Sequence, residues 1–124
     1  MPSLADDLAL ALRLADAADE LTAAAFTGDR VAHELKADGS PVSETDLAVE
    51  QRIAGIVAAE RPGDGMLGEE VGESGPTARR WIVDGIDGTI LFVAGVLGWA
   101  TQIALEVDGR PVVGVVTSGA DGRR

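Results

Sequence analysis

A chain of 124 residues suffices for one compact unit with a real core and not comfortably for two, so residues 1–124 are expected to form a single unit. Apolar residues make up 46% and aromatics only 3%, at a mean hydropathy of +0.16, which excludes a disordered chain and demands a core of Ala, Val, Leu and Ile. The 21 acidic against 10 basic side chains give a formal net charge of -11, a field that repels nucleic acid and anionic lipid unless cations intervene.

The absence of cysteine rules out disulfides, zinc-thiolate sites and a cysteine nucleophile. Met1-Pro2-Ser3-Leu4-Ala5-Asp6-Asp7 lacks a basic, then apolar, leader pattern, and no stretch approaches membrane-spanning length, so a cytoplasmic location is expected.

In chain order, Ser3 with Asp6 gives a helix-capping signature. Leu4, Leu8, Leu12 and Ala15 then recur at helical spacing, which predicts a first helix running to about Gly28 with those residues on its core face. Residues 29–42, with Lys36-Ala37-Asp38-Gly39-Ser40-Pro41, read as a connection. Ser43 and Asp46 repeat the capping pattern, and Val49, Ile53, Ile56 and Val57 predict a second helix stopped at Arg61-Pro62-Gly63. Short strands are expected at Met66-Leu67 and Trp81-Ile82-Val83. From Trp99 the alternation of Thr101, Ile103, Leu105 and Val107 against Ala100, Gln102, Ala104 and Glu106 predicts a longer strand. Asp108-Gly109 turns it into a returning strand over Val112–Val116. The final Asp121-Gly122-Arg123-Arg124 reads as a break in mid-structure, and neither its arginines nor His33 suggest more than a polar surface.

Gly63-Asp64-Gly65-Met66-Leu67-Gly68 spells G-x-G-x-x-G, yet it follows a helix and leads into a strand. The dinucleotide fingerprint requires the reverse, so the pyrophosphate can meet a helix N-terminus. More informative is Trp81-Ile82-Val83-Asp84-Gly85-Ile86-Asp87-Gly88-Thr89: an apolar strand delivers Asp84 at its end, and Asp87 follows in a glycine-punctuated turn. Two such carboxylates and the carbonyl between them can hold hard cations, although the same pattern also serves turns whose Asp side chains cap local N–H groups. Glu69-Glu70 reads as solvated charge unless it converges with Asp84 and Asp87, and Asp46 can serve the helix start alone.

Taken in order, Lys36-Ala37-Asp38-Gly39-Ser40-Pro41-Val42 before Thr45-Asp46, then Gly68-Glu69-Glu70, then Trp81-Ile82-Val83-Asp84 into Ile86-Asp87-Gly88-Thr89, the chain resembles the inositol monophosphatase family. Gly98-Trp99-Ala100-Thr101 and Arg110-Pro111-Val112-Val113-Gly114 look closest to its bacterial histidinol-phosphatase branch. The resemblance implies a layered α/β (α+β, sugar-phosphatase-like) fold, with two N-terminal helices on a mainly antiparallel sheet. It also implies hydrolysis of a small phosphate monoester, histidinol phosphate or inositol monophosphate, with Mg2+ as cofactor, and a homodimer.

By the same resemblance, Glu69, Asp84 and the Ile86 carbonyl hold one magnesium, and Asp84 and Asp87 contribute to a second. Thr89 paired with Asp46 orients the attacking water, the N–H groups of Gly88 and Thr89 grip the phosphate, and Glu70 supports the metal ligands. The departures are Gly85 for proline, Leu91 for asparagine, and Ala94 and Leu97 for arginine and proline. The first is expected to loosen the metal turn by about 0.4–1 kcal/mol if the geometry is kept.

The resemblance also implies a domain about twice as long, in which a later aspartate completes the second metal site. The unfinished sheet is then expected to expose a strand edge that invites association. The alternative expectation is a non-catalytic metal-binding or interaction fragment of that fold.

Overall fold

Ser3 and Asp6 close a reciprocal capping box at the start of helix α1 (Leu4–Ala25): Asp6 N–H donates to Ser3 Oγ at 3.1 Å and Ser3 N–H to Asp6 Oδ2 at 3.2 Å. The computed structural model describes residues 2–30, 32–39 and 41–124. Of the row predicted for the core face, only Ala15 is buried. Leu4, Leu8 and Leu12 are exposed, while Leu10, Ala11, Leu14, Ala15 and Ala18 are buried. A periodic leucine row and the Leu10/Leu14 row with its alanines share the same spacing. The small alanines decide between them, because they let α1 lie close against its neighbours.

Residues 29–42 are more than a connection, since Glu34–Leu35 (β1) pairs antiparallel with Pro41–Val42 (β2) in a small hairpin. Helix α2 (Glu44–Glu60) starts at a second capping box, Ser43 with Asp46, and buries Val49, Ile53 and Val57 as its periodicity predicts.

Five strands then form the main sheet: β3 (Gly65–Gly68), β4 (Gly72–Ser74), β5 (Arg79–Asp87), β6 (Ala100–Val107) and β7 (Arg110–Thr117), in spatial order β4-β3-β5-β6-β7. Only β3 and β5 run parallel. Asp108 (φ 50) and Gly109 (φ 80) make the β6–β7 turn with both central residues left-handed, as a two-residue hairpin requires. A short helix α3 (Thr89–Val93) follows β5.

Both long helices cover one face of the sheet. Leu10, Leu14, Val49 and Ile53 meet Trp81, Val83, Ile103, Leu105, Val113 and Val115 in the main core. A second cluster of Ile86, Phe92, Val93 and Trp99 lies under α3, with Phe92 and Trp99 edge to face at 5.0 Å. The tail arginines do more than solvate: the Arg124 guanidinium binds Asp16 and Asp19 of α1. The opposite face of the sheet carries Leu67, Ile82, Ala104, Gly114 and Val116 along an open trough of about 760 Å3. Among the described residues, no helix is long and apolar enough to cross a membrane.

Candidate active site

The site is made by an irregularity in β5. Asp84 pairs with Gln102 and Asp87 with Ala100, so three steps on β5 answer two on β6. Residues three apart on a regular strand point to opposite faces, and the extra residue of a β-bulge restores both aspartates to one side. Thr101 Oγ1 donates to the Gly85 carbonyl at 2.8 Å inside the bulge, and Ile86 turns inward to anchor the second cluster.

Lys36, Glu69, Asp84, Ile86, Asp87, Gly88, Thr89 and Ile90 line a cleft of about 220 Å3 at this point. Glu69 enters from the end of β3, the neighbour of β5, and lines the cleft together with Asp84. Burial, then Glu69, Asp87 and Glu50, push the Asp84 carboxyl up to about 7. Asp87 Oδ2 accepts from Gln102 Nε2 at 3.1 Å, and Glu69 Oε1 from Lys36 Nζ at 3.2 Å. Glu70 stands behind the cleft and binds the same ammonium at 2.5 Å. Among the described residues, no three Asp, Glu, His or Cys side chains close to the spacing of a preformed metal site. Lys36 and Gln102 take up two of the carboxylates instead.

The donor set nevertheless fits a hard divalent cation. Its ligating atoms are all oxygen, and its central carboxylate is held in a repulsive, half-buried position that a positive charge would relieve.

Asp46 makes the helix-capping contacts and the contact with Thr89 at once. Oδ2 accepts from Ser43 N–H at 2.8 Å and Ser43 Oγ at 2.6 Å, capping α2, while Oδ1 faces Thr89 Oγ1 at 2.9 Å. Thr89 Oγ1 has one proton to share between Asp46 and the Ile86 carbonyl at 3.0 Å, and its oxygen keeps the capacity to accept a hydrogen bond.

Sequence reasoning missed Glu50, a fully buried carboxylate of α2. Its Oε1 accepts from the N–H groups of Glu70 at 2.7 Å and Val71 at 3.2 Å, and its Oε2 from that of Gly85 at 3.3 Å. One side chain therefore ties the loop after Glu69 to the bulge after Asp84. Burial raises its pKa and the three donors oppose that rise. Its helical position, four residues after Asp46 and one after Val49, was the available signal, since an acidic residue there faces inward with its neighbours.

Gly85 does not simply loosen this turn. A Cβ there would stand 2.6 Å from the Asp46 carbonyl oxygen, and the Gly85 N–H is one of Glu50's three donors. The glycine lets α2 close on the bulge, so the geometry assumed for a proline is not kept. Gly85→Ala should therefore cost about 1–3 kcal/mol by overpacking, and Gly85→Pro more, since it also removes a donor from a buried carboxylate. Urea unfolding of both variants checks this, and a proline variant as stable as the parent would refute the close-approach argument. Of the other departures, Leu91 and Leu97 are exposed at the rim of α3, and Ala94 is its C-cap.

Residues 3–123 match the inositol monophosphatase family. The chain is 52% identical over 120 residues to a histidinol-phosphatase of Mycobacterium tuberculosis, covering 96% of this chain and 46% of that protein. It is 57% identical over 104 residues to a Streptomyces griseus protein named glucose-1-phosphate thymidylyltransferase, covering 82% of this chain and 40% of that one. Its fold superposes on an inositol monophosphatase from Zymomonas mobilis with a TM-score of 0.79 at 38% identity, over 98% of this chain and 47% of that one. The chain thus spans under half the length of the relatives it matches.

Proposed function

From a chain that belongs to the inositol monophosphatase family, we propose the metal-binding and water-orienting half of a magnesium-dependent phosphomonoesterase, with histidinol phosphate as first candidate substrate and inositol monophosphate as second. The observation that carries this reading is the bulge that sets Asp84 and Asp87 on one side of β5, opposite Glu69 and beside the Asp46–Thr89 pair.

Glu69, Asp84 and the Ile86 carbonyl would hold one magnesium, and Asp84 with Asp87 would contribute to a second. When bound, such ions neutralise phosphoryl oxygens, lower the pKa of water and stabilise the leaving oxygen. Asp46 draws the Thr89 proton toward itself, so that Thr89 Oγ1 accepts a hydrogen bond from a water in the cleft and orients it. Glu50 keeps Glu69 and Asp84 in register by holding the backbone beside each. The N–H groups of Gly88 and Thr89 at the start of α3 are the candidate phosphate donors, which add anion affinity without a basic side chain.

The thymidylyltransferase name borne by one relative suits this chain less well, because residues 3–123 match the inositol monophosphatase family.

The decisive measurement combines this chain with the C-terminal half of the M. tuberculosis histidinol-phosphatase and follows phosphate release from each ester with and without magnesium. Release that needs both the added half and the metal is the expected result, and release that survives a chelator would remove the proposal. The open trough on the outer sheet face supports a second reading, a non-catalytic metal-binding or interaction fragment. Magnesium binding without phosphate release from either ester, in the presence of the added half, would favour it.

A further inference from the structure

The β1–β2 hairpin projects one cation into an otherwise acidic cleft. Its turn, closed by the Gly39 N–H donating to the Lys36 carbonyl at 2.9 Å, sets Lys36 over the end of β3. There the ammonium contacts Glu69 Oε1 at 3.2 Å and Glu70 Oε1 at 2.5 Å, with its side chain three-quarters buried. Lys36 is the one basic residue among the described residues that line this cleft. A lysine ammonium carries its charge at neutral pH. Glu69 is the more exposed of its two partners, its side chain 51% exposed against 15% for Glu70. It is therefore the arm with more freedom to swing.

We propose that Lys36 is a tethered counter-ion which holds Glu69 and Glu70 in the metal-free protein and must release Glu69 before a divalent cation can be coordinated between Glu69 and Asp84. This rests on the metal-binding reading above. The Lys36 contact with Glu70 persists, so the hairpin stays docked and closes one wall of the cleft around the metal. Two consequences separate this role from simple structural support. The lysine weakens metal affinity through competition and charge repulsion, and it stabilises the metal-free fold by relieving the repulsion among Glu69, Glu70, Asp84 and Asp87.

Magnesium binding to the full chain by calorimetry, with manganese in parallel, tests this together with thermal unfolding in chelator. Lys36→Gln should bind magnesium roughly tenfold more tightly, the scale expected for removing one like charge a few ångströms from a partly solvated ion. It should also unfold at a lower temperature than the parent without metal and show a larger rise on adding magnesium. Lys36→Arg, which keeps the charge, should stay near the parent affinity. Equal or weaker binding by Lys36→Gln, with a parent that does bind, would overturn the counter-ion role alone. Failure of parent and variant alike to bind either metal would overturn the metal-binding reading and this inference with it.

Discussion

Asp7→Ala should cost about 3–5 kcal/mol, the largest stability loss expected from breaking a single ion pair among the described residues. Asp7 lies in the first turn of α1 and is 3% exposed. Its Oδ1 accepts from Arg61 at 2.7 Å and from Arg79 at 2.8 Å, so one oxygen joins the C-cap of α2 to the first residue of β5. Asp64 completes the ring, binding Arg79 Nε at 3.2 Å, approaching Arg61 at 3.6 Å and accepting from the Trp81 indole at 3.1 Å.

Two carboxylates balance two guanidiniums here, with side chains no more than 13% exposed. Removing one carboxylate leaves two largely desolvated cations sharing the other, and the penalty is that of the unpaired charge rather than of the lost hydrogen bonds alone. The melting temperature should fall by roughly 10–20 °C. Asp16→Ala serves as control, because Asp16 pairs with Arg124 at a surface position 67% exposed and should shift stability by less than about 1 kcal/mol. Similar small losses in both variants would show that water reaches the Asp7 cluster and screens it.

Which parts of this architecture the sequence disclosed follows from how far apart the causes lie along the chain. Ser3 and Asp6, Ser43 and Asp46, and Asp108-Gly109 act within four residues, and all three devices stand where local chemistry puts them. The β6 alternation is equally local, and Thr101, Ile103 and Leu105 are buried as expected. Leu4, Leu8 and Leu12 misled because periodicity specifies that a helix has an apolar face but not which of two rows a neighbour will cover.

The β1–β2 hairpin escaped because each strand has two residues and no alternation to read. In the site, the acidic residues were recognisable as candidates, and the family resemblance put them in order. The bulge that orients Asp84 and Asp87, the Glu50 bridge and the approach of Asp46 to Gly85 are long-range facts, each set by a partner 13 or more residues away. Lys36 was visible only as one letter of a motif, since its meaning depends on Glu69 and Glu70, 33 and 34 positions later.

Asp84→Asn should abolish magnesium binding and with it any phosphate release by the reconstituted enzyme, while making the metal-free chain more stable at alkaline pH. The opposed signs come from one cause. An aspartate with an ordinary value of 3.8 in the unfolded chain sits at about 7 in the fold, chiefly through burial and then through Glu69, Asp87 and Glu50. Below 3.8 the carboxyl is protonated in both states and costs nothing. Between 3.8 and about 7 the unfolded chain releases the proton that the folded chain keeps, so stability of the metal-free protein falls as pH rises across that window.

Because the group is half-buried and solvent screens part of the repulsion, the cost above pH 7 comes to about 2 kcal/mol. Asparagine has no charge to desolvate, so in chelator the variant should lose this slope and melt above the parent at pH 8. Magnesium should then raise the melting temperature of the parent and leave the variant unmoved, because the removed charge is the one the cation would relieve. A variant less stable than the parent at pH 8 in chelator would mean that Asp84 is held by favourable contacts, and the strain argued for this carboxylate would be absent.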